Sequence, residues 1–160
     1  MDITRPAAGA GRTEQIKLDS AAGHLLEECR MVLPGIQALF GFQLIAVFDE
    51  TFHDKLSEAQ QLLHLAATVL VAVSIALVMA PAALHRQTER HSVSRRFIDL
   101  ASRLLLAGMF PLALAIALEA YLVTAVIVGR PAHAWWVAAA LLAVFAALWL
   151  GLPARERRRT

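Results

Sequence analysis

The stretch LLLAGMFPLALAIALEAYLVTAVIV, residues 104–128, holds one charged side chain, Glu119. A helix rises about 1.5 Å per residue, so this run covers more than the roughly 30 Å of hydrocarbon in a bilayer. Upstream, residues 98–103 (IDLASR) continue the helical pattern. A span is therefore expected over 98–128, with Asp99 and Arg103 projecting past its inner edge. Three more such runs occur. Residues 32–48 (VLPGIQALFGFQLIAVF) are near the shortest length that crosses. Residues 60–84 carry Gln, His and Thr near their start and Ser74 inside, end near Pro81, and are followed by His85 and Arg86. Residues 133–152 open on Trp135 and Trp136 and close near Trp149, where tryptophans suit the two membrane interfaces.

The connections are short and polar: 49–58 (DETFHDKLSE), 85–97 (HRQTERHSVSRRF) and Gly129-Arg130-Pro131. Hydrophobic residues make up 58% of the chain and charged ones 18%, against about a quarter charged in soluble domains. The expected fold class is all-α, an integral membrane four-helix bundle. Before the first span, residues 1–18 read as a flexible cytoplasmic tail. Asp19 or Ser20 can cap a short amphipathic helix over about 19–31, at or under the membrane surface. The transmembrane domain then covers 19–153, and 154–160 (ARERRRT) form a basic cytoplasmic tail. Residues 1–30 lack the apolar core of a signal peptide, so the first span is expected to serve as an uncleaved insertion signal.

Charge sets the orientation. Of fifteen Lys and Arg, all but Lys55 and Arg130 fall in the N-terminal segment, the 85–103 region or the C-terminal tail. Asp49, Glu50, Asp54 and Glu58 make the first loop acidic. Positive charge is retained on the cytoplasmic side, so both termini are expected inside, in a bacterial inner membrane. The pI near 9.2 then reflects topology and attraction to anionic lipid, not nucleic acid. Cys29, the one cysteine, cannot form an internal disulfide and reads as a small filler residue. No metal, cofactor or catalytic motif is legible, and His85 and His91 do not have a helical metal-site spacing. No enzyme is expected.

Polar residues inside the spans are the candidates for function. Glu119 lies about nine residues before the end of its span, and a charge there must be paired, protonated or wet. It shares a helical face with Gly108 and Ala115. It is either a proton- or cation-handling carboxylate or a carboxylate bonded to a polar side chain of another span. His64, one turn inside the second span, and Gln43, at similar depth in the first, are the partners within reach. Histidine changes charge closest to neutral pH, although an interfacial histidine wet by head groups is the plainer alternative. Arg30, Pro34, Gln37 and Gly41 share a face by their spacing, which can line a pore or pack on a neighbouring helix.

The strings Glu28-Cys29-Arg30, Leu33-Pro34-Gly35-Ile36-Gln37-Ala38-Leu39-Phe40-Gly41-Phe42 and Ala80-Pro81-Ala82-Ala83-Leu84-His85-Arg86, with Arg103-Leu104 and Ala107-Gly108, resemble a family of small bacterial four-helix membrane proteins. It is a domain-of-unknown-function family. The resemblance covers roughly residues 25–130 and implies the four-span architecture and no activity. Its elements place Glu28, Arg30, His85, Arg86 and Arg103 near the cytoplasmic helix ends. That polar cluster can hold an anionic lipid head group or staple helix ends through ion pairs between the N-terminal helix and the third span.

A bundle this small has little room for an internal path. The leading expectation is a homo-oligomeric channel or pore for ions or small solutes, with Gln37, Gly41, Gln43, His64 and Glu119 along the path. The alternative is a non-transporting module that binds anionic lipid or a protein through the cytoplasmic basic cluster.

Overall fold

The computed structural model describes the backbone of residues 7–88 and 93–157, and their side chains except at 7–12, 51, 53, 88, 131 and 157. His91, residues 1–6 of the expected tail and 158–160 of the basic tail lie outside the described residues. The fold is an all-α four-helix bundle, and no strand occurs among the described residues. Helix α1 spans Ala7–Ala46, α2 Glu50–Lys55, α3 Glu58–Thr88, α4 Arg95–Val128 and α5 Pro131–Ala146. A π turn over Ala147–Gly151 carries α5 directly into α6, Leu152–Arg157.

Four helical runs are long and apolar enough to cross a membrane: Thr13–Ala46, Glu58–Gln87, Arg95–Val128 and Ala132–Glu156. Little of their apolar surface is covered by the protein itself. In the last run only 6% of the most hydrophobic window is buried. Phe42, Ile127 and Trp136 each expose more than two thirds of their surface. Side chains this apolar are exposed in such number where lipid covers them. The chain is a multi-pass membrane protein.

The first helix departs from the sequence reading. Residues 7–18, expected as a tail, are helical, and the expected short helix over 19–31 is continuous with the first span. Asp19 and Ser20 thus lie mid-helix instead of capping one, and Pro34 lies inside the helix. Packing is the reason. Leu18, Ala22 and Leu25 recur at helical spacing and meet an apolar cluster that the local composition, diluted by Gly9 and Gly11, does not reveal.

That cluster belongs to the first of two compact units, residues 1–37 with 75–108. Ala22, Val93, Phe97 and Ala101 form its buried centre, with Leu18, Leu25, Leu84 and Ile98 around them. Ser94 starts α4: its hydroxyl accepts from the Phe97 N–H at 3.2 Å, a side-chain cap on a free helix-terminal donor. Gln15 donates to the Val93 carbonyl at 3.3 Å and to Asp19 Oδ1 at 3.1 Å. The second unit comprises residues 38–74 with 109–160. There α3 buries His64, Ala67, Val71 and Ser74, spaced three and four apart, so one face of the helix turns inward. Ala113, Ala115 and Ala117 of α4 and Ala134 and Ala138 of α5 are buried too, small residues that let helix backbones approach closely. Tyr121 and Trp135 meet with ring centroids 4.7 Å apart. The 129–131 turn forms as expected, with Gly129 at φ +67, a conformation glycine adopts without a Cβ clash.

Candidate functional site

Three polar side chains from three helices converge inside the second unit. Gln43 sits in the last turn of α1, His64 in the second turn of α3, and Glu119 in α4, nine residues before its end. Gln43 and His64 are 3% and 5% exposed. Glu119 retains 20% side-chain exposure.

One oxygen of Glu119 takes both contacts. Gln43 Nε2 donates to Oε1 at 2.8 Å, and His64 Nδ1 lies 3.0 Å from the same Oε1. Both expected partners therefore bind the carboxylate together. Among the described residues Oε2 has no hydrogen-bond partner. On the far side of the imidazole, Nε2 is 3.0 Å from the Gln43 carbonyl. The Thr68 hydroxyl donates to the His64 carbonyl at 3.0 Å, and the Phe52 ring stands edge-on to the imidazole at 5.2 Å. His64 is thus held through both ring nitrogens and is largely buried.

This geometry fixes the proton count. A backbone carbonyl only accepts, so Nε2 carries a hydrogen. Nδ1 and Oε1 then need one proton between them. Either imidazolium faces carboxylate, or imidazole faces carboxylic acid; both arrangements are neutral in sum. Removing that proton sets two lone pairs against each other at 3.0 Å. Gln43 Nε2 is spent on Glu119 while its own Oε1 is buried without a partner among the described residues. A buried acceptor left unpaired costs about 1–3 kcal/mol. The amide holds this orientation because Glu119 Oε1 takes its donor.

Beside the carboxylate opens a recess of ≈ 230 Å³. Ala46, Phe52, Leu56, Leu122, Val123, Val126 and Ile127 wall it, and His64 and Glu119 are its polar members. Phe52 and Leu56 come from the 49–58 segment, which the sequence presents only as an acidic loop.

The model of a family of unknown function, DUF6328, matches residues 11–153. The chain belongs to that family. No curated protein and no solved structure matches it. The DUF6328 match extends beyond the 25–130 region that carries the resemblance, and includes Leu18 and Ala22 of α1, which belong to the Phe97 cluster.

The remaining sequence candidates of this DUF6328 chain lie elsewhere. Gln37 is exposed, and Gly41 is half-buried with open space where a Cβ would be. Glu28, Arg30 and Arg103 are exposed, and no ion pair joins them among the described residues. His85 is half-buried against the Phe97 ring at 5.6 Å, with its Nδ1 unpartnered among the described residues. An ion pair does link the N-terminal helix to α4, but through other residues: Arg95 Nη2 and Nε meet Glu14 Oε1 at 2.6 and 3.0 Å. Residue 14 was legible only as part of a tail, so the sequence carried no signal for it. Cys29 is buried, as a filler residue should be. Among the described residues no cluster of three or more His, Cys, Asp or Glu is placed to hold a metal.

Proposed function

We propose that the chain is a homo-oligomeric channel or pore for ions or small solutes, with Glu119 and His64 as its working groups. The observation that carries this reading is the Glu119 carboxylate inside a membrane span, bound through one oxygen while the other is free beside an open recess. Ionisable groups at such depth are costly and characteristic of ion and proton paths. Gln43 serves as the donor that orients Glu119. Exposed Gln37 supports the homo-oligomer, since an amide facing hydrocarbon requires a partner. The distribution of Lys and Arg supports insertion in a bacterial inner membrane with both termini cytoplasmic.

Flux through liposomes containing the full chain tests the reading. Wild type is expected to conduct, and Glu119→Gln to lose most of the flux while still inserting. Absence of wild-type flux at every pH, voltage and membrane tension would sink it. The exposed Arg30 and Arg103 favour a second reading, a module that holds anionic lipid at the cytoplasmic face. It requires Arg103→Ala to reduce anionic lipid retained by purified protein.

A further inference from the structure

The recess beside Glu119 combines features that select a particular ligand chemistry. Seven of its nine wall residues are apolar, and one of these, Phe52, is aromatic. The charge available to a ligand is the Glu119 carboxylate, whose Oε2 has no hydrogen-bond partner among the described residues. A hydrated metal ion is poorly served there. Magnesium, calcium and potassium exchange water for several oxygen ligands, and this wall offers one. An organic monocation with apolar substituents has little hydration to lose, packs against Phe52 and Leu122, and meets its countercharge at the Glu119 carboxylate.

Charge balance adds a second requirement. Glu119 and His64 with their shared proton are neutral, so a cation entering that state leaves a buried net charge of one. Release of the shared proton restores neutrality. Gln43 Nε2 continues to stabilise the carboxylate, and His64 keeps its Nε2 hydrogen on the Gln43 carbonyl. His64 and Glu119 are the titratable groups among the residues that line the recess, so the proton has no other source within it.

We propose that this recess binds a lipophilic organic monocation, and that each cation bound expels the proton shared by Glu119 and His64. The inference rests on the transport reading for its purpose and names the substrate class, but its test needs no transport. Purified full-length chain in detergent is titrated with benzyltrimethylammonium, with affinity read by calorimetry and proton release by a pH indicator in weak buffer. One proton is expected per cation bound. The dissociation constant is expected to fall about ten-fold per pH unit of rise while the site holds its proton. Neopentylbenzene, the neutral carbon isostere, is expected to release none, and potassium not to compete.

Glu119→Gln is expected to abolish both signals. Val123→Trp, which fills the recess and leaves Gln43, Glu119 and His64 in place, is expected to abolish cation binding with the fold intact by circular dichroism. Absence of binding, binding without proton release, or binding that survives Glu119→Gln each overturns the proposal. Flux without cation binding leaves the transport reading standing and defeats this one; cation binding in a chain that conducts nothing does the reverse.

Discussion

Coupling between His64 and Glu119 can be measured directly, and its size follows from the geometry. The perturbation is a double-mutant cycle: His64→Phe, Glu119→Leu and both together. Two unit charges 3.0 Å apart attract by about 5–6 kcal/mol at an effective dielectric constant near 20, which is a ceiling. Desolvation of both groups removes much of it. Hydrogen bonds between membrane helices average about 0.6 kcal/mol by such cycles and reach about 1.7, because the unfolded chain in lipid also finds partners. Charge assistance roughly doubles a neutral bond. The expected coupling is therefore about 1–2 kcal/mol. Glu119→Leu alone is the more costly single change, since it strands the Gln43 amide as well as Nδ1 of His64. Adding His64→Phe should then cost less than it does in wild type. The assay is equilibrium unfolding in mixed micelles titrated with dodecyl sulfate. Additive losses, with coupling below about 0.3 kcal/mol, would refute the shared-proton geometry.

Two further outcomes concern the first unit. Phe97→Ala empties the centre of the cluster formed with Ala22, Val93 and Ala101 and should cost about 3–5 kcal/mol, seen as faster amide exchange over residues 13–26. Arg95→Ala should change stability by less than about 1 kcal/mol, with the difference vanishing in high salt, because both Arg95 and Glu14 are more than half exposed.

What could be read from the sequence divides along physical lines. The four spans were legible because each is a long run with few charges, and the bilayer imposes that pattern on any crossing helix. Glu119, His64 and Gln43 were legible for the same reason, since a polar residue in such a run stands out and must find a partner at its own depth. The length of α1 was not. Residues 7–18 have no periodic apolar stripe of their own, and Leu18, Ala22 and Leu25 acquire meaning only beside Phe97, 72 to 79 positions later in the chain. The recess was hidden likewise. Phe52 and Leu56 look like incidental apolar residues in an acidic loop until the fold sets Phe52 beside the imidazole and both on the recess wall. No ion pair joins Glu28, Arg30 or Arg103 among the described residues, since charge and approximate depth do not specify reach. Glu14 and Arg95 make that kind of contact instead.

Gln37 provides the sharpest test of self-association. It is exposed on α1, three residues beyond Pro34, and no hydrogen bond of its amide is found among the described residues. A primary amide facing hydrocarbon without a partner costs several kcal/mol by transfer scales. A second copy of the chain is the simplest remedy, because an amide both donates and accepts and can pair with its own symmetry mate across a two-fold axis. Interhelical bonds of this kind contribute about 1–2 kcal/mol in model peptides. Gln37→Leu should therefore weaken self-association in detergent by roughly five- to thirty-fold in dissociation constant, measured by dilution-dependent energy transfer between labelled chains. Gln37→Asn, shorter by one methylene, should weaken it less than leucine does. If leucine leaves the constant unchanged or tightens it, the amide does not face another copy, and α1 is not the helix on which the oligomer is built.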